Sequence, residues 1–436
     1  MAHALKIWGT IGIDFLDATL IVLFLLAGIV GTAVFERTTS PSVAREAARQ
    51  GANFALLLER LAFSLRSYVG GLLNQDAGRF LPWLISIISV ASGIVGFAAL
   101  SFGPAVHLAP LNTGIIFIFG ASMLGIQGGV LARGFSLRST SLAGVARNGA
   151  RVASFELAAA LALISGVVLA GSISVDKIVE AQLDQGAWFL FLTPLGFLIY
   201  FAASIAGIDG AARPRSQTEL DRQRDCADAP RPFRWPFGSL GATIHLLIGA
   251  GLATTLFLGG WLRPFASYHD HFAGMSVELL DALPPLVMAA AAAYCHRLAS
   301  SETDRGRQQV MNVVCAICTG LVVILAAALF LPAALAAVHG AFWFLAKMAV
   351  YIYALLWVRA RVPQFRFGRP IRAAWNFLIP IAAVNLVCVA AALVARERWD
   401  WSPAASTFGA TAIALLIALW LGLHDAGETA PYPVES

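Results

Sequence analysis

Charge is what this sequence has least of. Acidic and basic residues make up 13% of its 436 positions, apolar residues make up 58%, and mean hydropathy is +0.75. No water-soluble fold of that length needs so much apolar surface, so a polytopic membrane protein is left. Strand-sized alternating segments are also lacking. That excludes a membrane barrel and points to an all-α bundle of transmembrane helices. Cys226, Cys295, Cys315, Cys318 and Cys388 are too few and too scattered for a disulfide framework. Cys315 and Cys318 form a CxxC, but inside an apolar run with no second pair beside it, so they read as small packing residues. A phosphate-binding glycine loop, a nucleophile elbow and a zinc-spaced His/Cys set are all missing. His269 and His271, with Asp270 between them, read as a solvated turn, and no metal or redox cofactor is implied. No cleavable signal peptide is expected, because the first apolar run is long and lacks a basic start.

What is present is apolar length. Runs of about 20 apolar residues mark membrane spans. They fall near 11–35, 80–103, 111–132, 152–172, 186–206, 238–260, 276–296, 309–337, 341–358, 374–395 and 404–423, which makes eleven. The pI near 9.1 does not signal nucleic acid, because most of the 30 lysines and arginines sit in alternate short loops. That bias sets topology and predicts an outside N-terminus and a cytoplasmic C-terminal tail. In the first loop, GANFALLLERLAFSL has apolar positions at helical spacing and reads as an amphipathic helix lying on the membrane surface. The fifth loop, DGAARPRSQTELDRQRDCADAPRPFRWP, is polar and proline-rich. It reads equally as a docking segment for a soluble partner and as a plain connector.

The few charges inside apolar runs are the candidates for chemistry. Asp14 and Asp17 lie near the start of the first span and read as hydrated; Glu278 and Asp281 lie near an end of the seventh. Lys347 lies in the ninth span, where outward snorkelling and a buried role in a proton path are both open. Glu156 is the single charge in the fourth span, placed about four residues in, roughly 6 Å along the helix. Arg133, Arg138, Arg147 and Arg151 precede it and read as topology anchors. Nine residues separate Arg147 from Glu156, which puts them about 180° apart on a continuous helix. Arg151 is also poorly aligned. A partner for Glu156 must therefore come from another helix, or from a helix break at Gly149. An acid so placed suits proton relay.

Several blocks carry a resemblance. They are GVARNGARVASFE at 144–156, GSISVDKIVEAQ and WFLFLTPLGFLIYFAASIA within 171–206, ATTLFLGGW at 253–261, and the long segment 343–380. They resemble the H subunit of the proton-pumping NADH:quinone oxidoreductase, respiratory complex I. That family's fourth-helix region reads like GWxSNxKYxLLGxLRxxAQxISYE. Here Gly144, Arg147, Ser154 and Glu156 fall in register without a gap, and Phe155 stands for the tyrosine. The family's WFxxKxxxxxxxxxWxRxxxPRxRxDxxxxxxWKxLLP is similar to WFLAKMAVYIYALLWVRARVPQFRFGRPIRAAWNFLIP. Upstream, Glu36 and Arg37 end the first helix as the family's ER does.

The resemblance implies a heel subunit of the membrane arm that frames quinone entry and begins the proton path. It implies Glu156, Arg147, Lys347, Asp209 and Glu219 as proton-path residues. It implies Glu36, Arg37, Arg359 and Arg366 as residues of the quinone region or of the interface with the hydrophilic arm. No cofactor is expected on this chain: quinone is the substrate, and flavin and iron–sulfur clusters belong to partner subunits. The expected setting is the cell inner membrane, among other membrane-arm and hydrophilic-arm subunits. A related subunit of a membrane-bound hydrogenase and a non-catalytic assembly scaffold are the alternative readings.

Departures from the family are many. The first-loop signature GPNxxGxxGLLQPxADxxK has lost its glutamine, aspartate and lysine. The fifth-loop AETNRxPFDLxExExEL reads AGIDGAARPRSQTEL, retaining Asp209 and Glu219. Near the start of the sixth helix, where the family carries a glutamate, Ile244 and His245 stand instead. In domain terms, 1–264 and 339–400 are family-like. Residues 265–338 read as an insertion adding two spans, and 401–436 as an extra helix with a cytoplasmic tail.

Overall fold

The computed structural model describes residues 24, 25, 28, 80–103, 111–136, 142–212, 236–264, 277–301, 312, 315, 316, 319–326, 332–361, 374–399, 409, 412 and 416. Among these there is no strand. The helices are α1 (Phe80–Ala98), α2 (Gly114–Ser136), α3 (Leu142–Ala170), α4 (Val175–Asp184), α5 (Phe189–Leu192), α6 (Pro194–Ala212), α7 (Pro236–Phe257), α8 (Val277–Ser301), α9 (Pro332–Arg361) and α10 (Ile379–Trp399). A single π-turn, Ala374–Leu378, leads into α10. Among the described residues, four stretches are long and apolar enough to cross a membrane: Gly114–Leu131, Ala146–Ala170, His339–Arg359 and Ala374–Trp399. Shorter apolar helices occupy Ile87–Ala98, Pro194–Gly207, Thr243–Phe257 and Leu283–Tyr294. The surface helix expected in 36–79, the fifth loop beyond Ala212 and nearly all of the first and last expected spans lie outside the described residues.

Element boundaries follow local chemistry. Pro194, Pro236 and Pro332 each open a helix, where a missing N–H goes unnoticed and φ is already helical. Two expected boundaries move as a result. The span expected at 186–206 is broken at Thr193, so α5 is a short separate turn before α6. The boundary expected between 337 and 341 does not exist, because α9 runs unbroken from Pro332. The fourth span also begins early: α3 is continuous from Leu142, with no break at Gly149. α4 is the amphipathic piece, burying Val175, Ile178, Val179 and Gln182 at i, i+3, i+4 and i+7 while Lys177, Glu180 and Asp184 take other positions.

α7 is the hub, packing on α1, α2, α6 and α9, while α3 packs on α2, α6 and α10. Between helices in lipid, association comes from close packing more than from expulsion of water, so small residues matter at contacts. The α1–α2 pair shows this: a Cβ added at Gly96 would sit 3.0 Å from the Ala121 Cβ, and one at Gly128 3.0 Å from the Ser89 Cβ. The Ser89 hydroxyl crosses this contact and donates to the Gly125 carbonyl. Larger rings pack where the end of α1 meets α9: Phe102 meets Phe97 at 5.3 Å and Phe344 at 5.0 Å between centroids.

Candidate functional site

Glu156 lies about ten residues, roughly 15 Å along the axis, from Ala146, the N-terminal limit of the membrane-compatible part of α3. The side chain is buried, and its partner is on another helix: the His245 Nε2 on α7 stands 3.4 Å from Glu156 Oε1. The other ring nitrogen, His245 Nδ1, is 2.7 Å from the Ser122 hydroxyl on α2. Carboxylate, imidazole and hydroxyl thus form one chain across α3, α7 and α2. An imidazole placed in this way can take a proton on one nitrogen while releasing one from the other. Gly207 on α6 lies close to the carboxylate: a Cβ built there would be in ordinary van der Waals contact with Oε1, at 3.8 Å.

Beside this chain is a cavity of about 20 Å³, room for one water molecule. Its polar walls are Ser122, Glu156, Tyr200, Ser204, His245 and Tyr351. Local hydrogen bonds hold the tyrosines. The Tyr200 hydroxyl donates to the Gly249 carbonyl at 2.9 Å, and the Tyr351 hydroxyl donates to the Ser204 hydroxyl at 3.2 Å. Ser204 in turn donates to the Tyr200 carbonyl at 2.8 Å. Beyond the tyrosines the packing is aromatic, with Phe197 meeting Phe257 at 5.7 Å and Tyr351 at 6.1 Å.

Among the described side chains, those of Arg147, Arg359 and Lys347 do not join this cluster. Arg147 is exposed on α3, on the face opposite Glu156. Asp209 lies in the last turn of α6, and Arg359 is half-buried in the last turn of α9. Glu36, Arg37, Glu219, Arg366, Asp14, Asp17, His269 and His271 lie outside the described residues. Arg151 departs from expectation. It rides on α3, is 7% exposed, and its Nε has no hydrogen-bond partner among the described residues, so it is a buried residue and not a loop anchor. The reason is that α3 begins at Leu142, ten residues before the run expected at 152–172, and carries Arg151 into the bundle. Cys315 packs as expected, its thiol 3.6 Å from the Ala292 carbonyl of α8.

Lys347 is buried in α9 and does not snorkel. Its Nζ donates to the carbonyls of Leu258, Gly260 and Leu262 at 2.7, 3.0 and 2.5 Å, and lies 4.6 Å from the centroid of the Trp188 ring. The residues that sequence reasoning did not assign are His245, Ser122, Tyr200, Ser204 and Tyr351. Only His245 left a trace, as a basic residue inside an apolar run where the resembling family has an acid.

The chain matches the family described as NADH dehydrogenase over residues 17–301 and 306–390. It is similar to the NADH-quinone oxidoreductase H subunit, form 2, of Solibacter usitatus, with 29% identity over 336 residues covering 76% of this chain and 84% of that protein. The H subunit, form 1, of the same enzyme in Koribacter versatilis is 28% identical over 353 residues, 78% of this chain and 82% of the relative. The H subunit of Dehalococcoides mccartyi is 25% identical over 383 residues, covering 86% and 87%.

Proposed function

This chain belongs to the NADH dehydrogenase family, and from that premise we propose that it is a membrane-arm subunit of a proton-translocating NADH:quinone oxidoreductase, forming the quinone-access region and the start of the proton path. The observation that carries the proton-path reading is the buried Glu156–His245–Ser122 chain beside a water-sized cavity. A buried ionisable pair is expensive in a bilayer and tends to be kept for a task. In this reading Glu156 takes a proton from the cytoplasmic side and His245 passes it on toward the tyrosine-lined cavity. Arg147, Asp209 and Glu219 belong to the approach on that side. Glu36, Arg37, Arg359 and Arg366 belong to the quinone region or to the interface with the hydrophilic arm. Quinone is the substrate, and flavin and iron–sulfur clusters sit on partner subunits.

Purification of the tagged chain from mild detergent tests this directly. The expected result is co-purification with the other subunits of an NADH dehydrogenase. Recovery with a nickel–iron hydrogenase would move the chain to that class of complex, and recovery alone would leave a scaffold or a free-standing protein.

The proposed architecture has about eleven spans, the surface helix in the first loop, an outside N-terminus and a cytoplasmic C-terminus in the cell membrane. Residues 265–338, which contain α8, add two of those spans and so preserve the orientation of the helices downstream. Reporter fusions are expected to place 359–373 and the C-terminus on the cytoplasmic side, both in the full chain and after deletion of 265–338. A C-terminus that flips on deletion would refute the two-span insertion.

A further inference from the structure

We propose that Lys347 is a positioning residue: a three-donor clamp that ties the turn after α7 to α9 and thereby sets where His245 meets Glu156. The geometry around its nitrogen calls for the charged form. An ammonium has three N–H donors and no acceptor, and Lys347 spends them on three backbone carbonyls, those of Leu258, Gly260 and Leu262. A neutral amine has two N–H groups, so losing the proton would turn a lone pair toward a carbonyl oxygen. Backbone carbonyls cannot take the proton in exchange, and no carboxylate among the described residues pairs with Lys347. The face of Trp188 completes the shell, and the negative end of the α7 dipole favours a cation there.

The turn is built to present those carbonyls. Gly259 and Gly260 have φ of +73° and +50°, which side-chain-bearing residues rarely adopt. A Cβ at Gly259 would meet Trp188 Nε1 at 2.7 Å, and one at Gly260 would meet Val179 Cγ2 at 2.6 Å. The turn is therefore packed against Trp188 and Val179 and hydrogen-bonded to Lys347. Two separate sequence blocks, LFLGGW and WFLAK, are the two halves of this contact.

The clamp acts at a distance through rigid helices. His245 lies on α7 about twelve residues, roughly 18 Å, before Phe257. Tyr351 lies one turn beyond Lys347 on α9 and lines the same cavity as His245. Locking the end of α7 to α9 fixes the register between the two walls of that cavity. The effect on proton transfer rests on the function proposed above, whereas the clamp itself does not.

The test uses the assembled complex carrying K347R or K347M. Arginine keeps the charge and the donors and cannot release its proton; methionine removes both. The readouts are assembly, amide hydrogen exchange over 254–262, and protons translocated per quinone reduced. For the clamp, K347R keeps exchange within about twofold of the parent and retains most of the coupled turnover. K347M raises exchange at least about tenfold, or fails to assemble. If K347R does not assemble, K347M exchange decides; failure of both to assemble counts for the clamp, because a proton carrier can be neutralised without unfolding the chain. K347R with parent-like exchange but no proton translocation would overturn the proposal in favour of a carrier. Unchanged exchange in K347M would overturn it too. Exchange and assembly are read whether or not protons move, so failure of the clamp is distinguishable from failure of the proposed function.

Discussion

Glu156→Gln is expected to lower coupled quinone reduction by at least about tenfold while the complex still assembles. Glutamine has the shape of glutamate, so the packing beside α6 and the contact with His245 Nε2 can persist. What is lost is the capacity to gain and release a proton at this buried position. Because the carboxylate is buried against an imidazole, the change removes a charge without opening a void. The measurement is quinone-reductase turnover together with proton uptake in vesicles containing the purified complex. Unchanged turnover and unchanged translocation would reject a relay role for Glu156.

His245→Leu is expected to act first on stability. It leaves the buried Glu156 carboxyl without its imidazole, and a buried polar group stripped of its partner costs about 1–3 kcal/mol. It also strips the Ser122 hydroxyl of its bond to Nδ1. The double variant Glu156→Leu with His245→Leu removes both members. Buried pairs replaced together by apolar residues are often neutral, so most of the lost stability should return while proton translocation does not. Thermal unfolding of the detergent-solubilised complex, with vesicle translocation alongside, separates the two effects. A double variant no more stable than His245→Leu alone would show that the pair is not a coupled unit.

The limits of sequence reading are visible in individual residues. Glu156 stood out because a lone carboxylate in an apolar run is conspicuous, and helix periodicity correctly ruled out Arg147 as its partner. Periodicity could not find His245, which lies 89 residues away on a helix whose packing against α3 and α2 is a tertiary matter. Arg151 was misplaced for a related reason. Apolar runs locate where a helix becomes lipid-compatible, not where it begins, and α3 starts well before its run. Lys347 was ambiguous for a third reason: its partners are main-chain carbonyls, which have no residue identity to read.

Composition alone determined that this chain is a helical membrane protein, because burying so much apolar surface leaves a bilayer as the only consistent solvent. Loop charges and matched blocks carried the reading further, to an orientation and to a family expectation. The tertiary structure decided what the embedded charges meet. It brought Glu156 to His245 and Ser122, and it sent Lys347 to the turn after α7. The physical reason is the same in both cases. A charge taken out of water must find its partners in three dimensions, and those partners lie on neighbouring helices that only packing brings together.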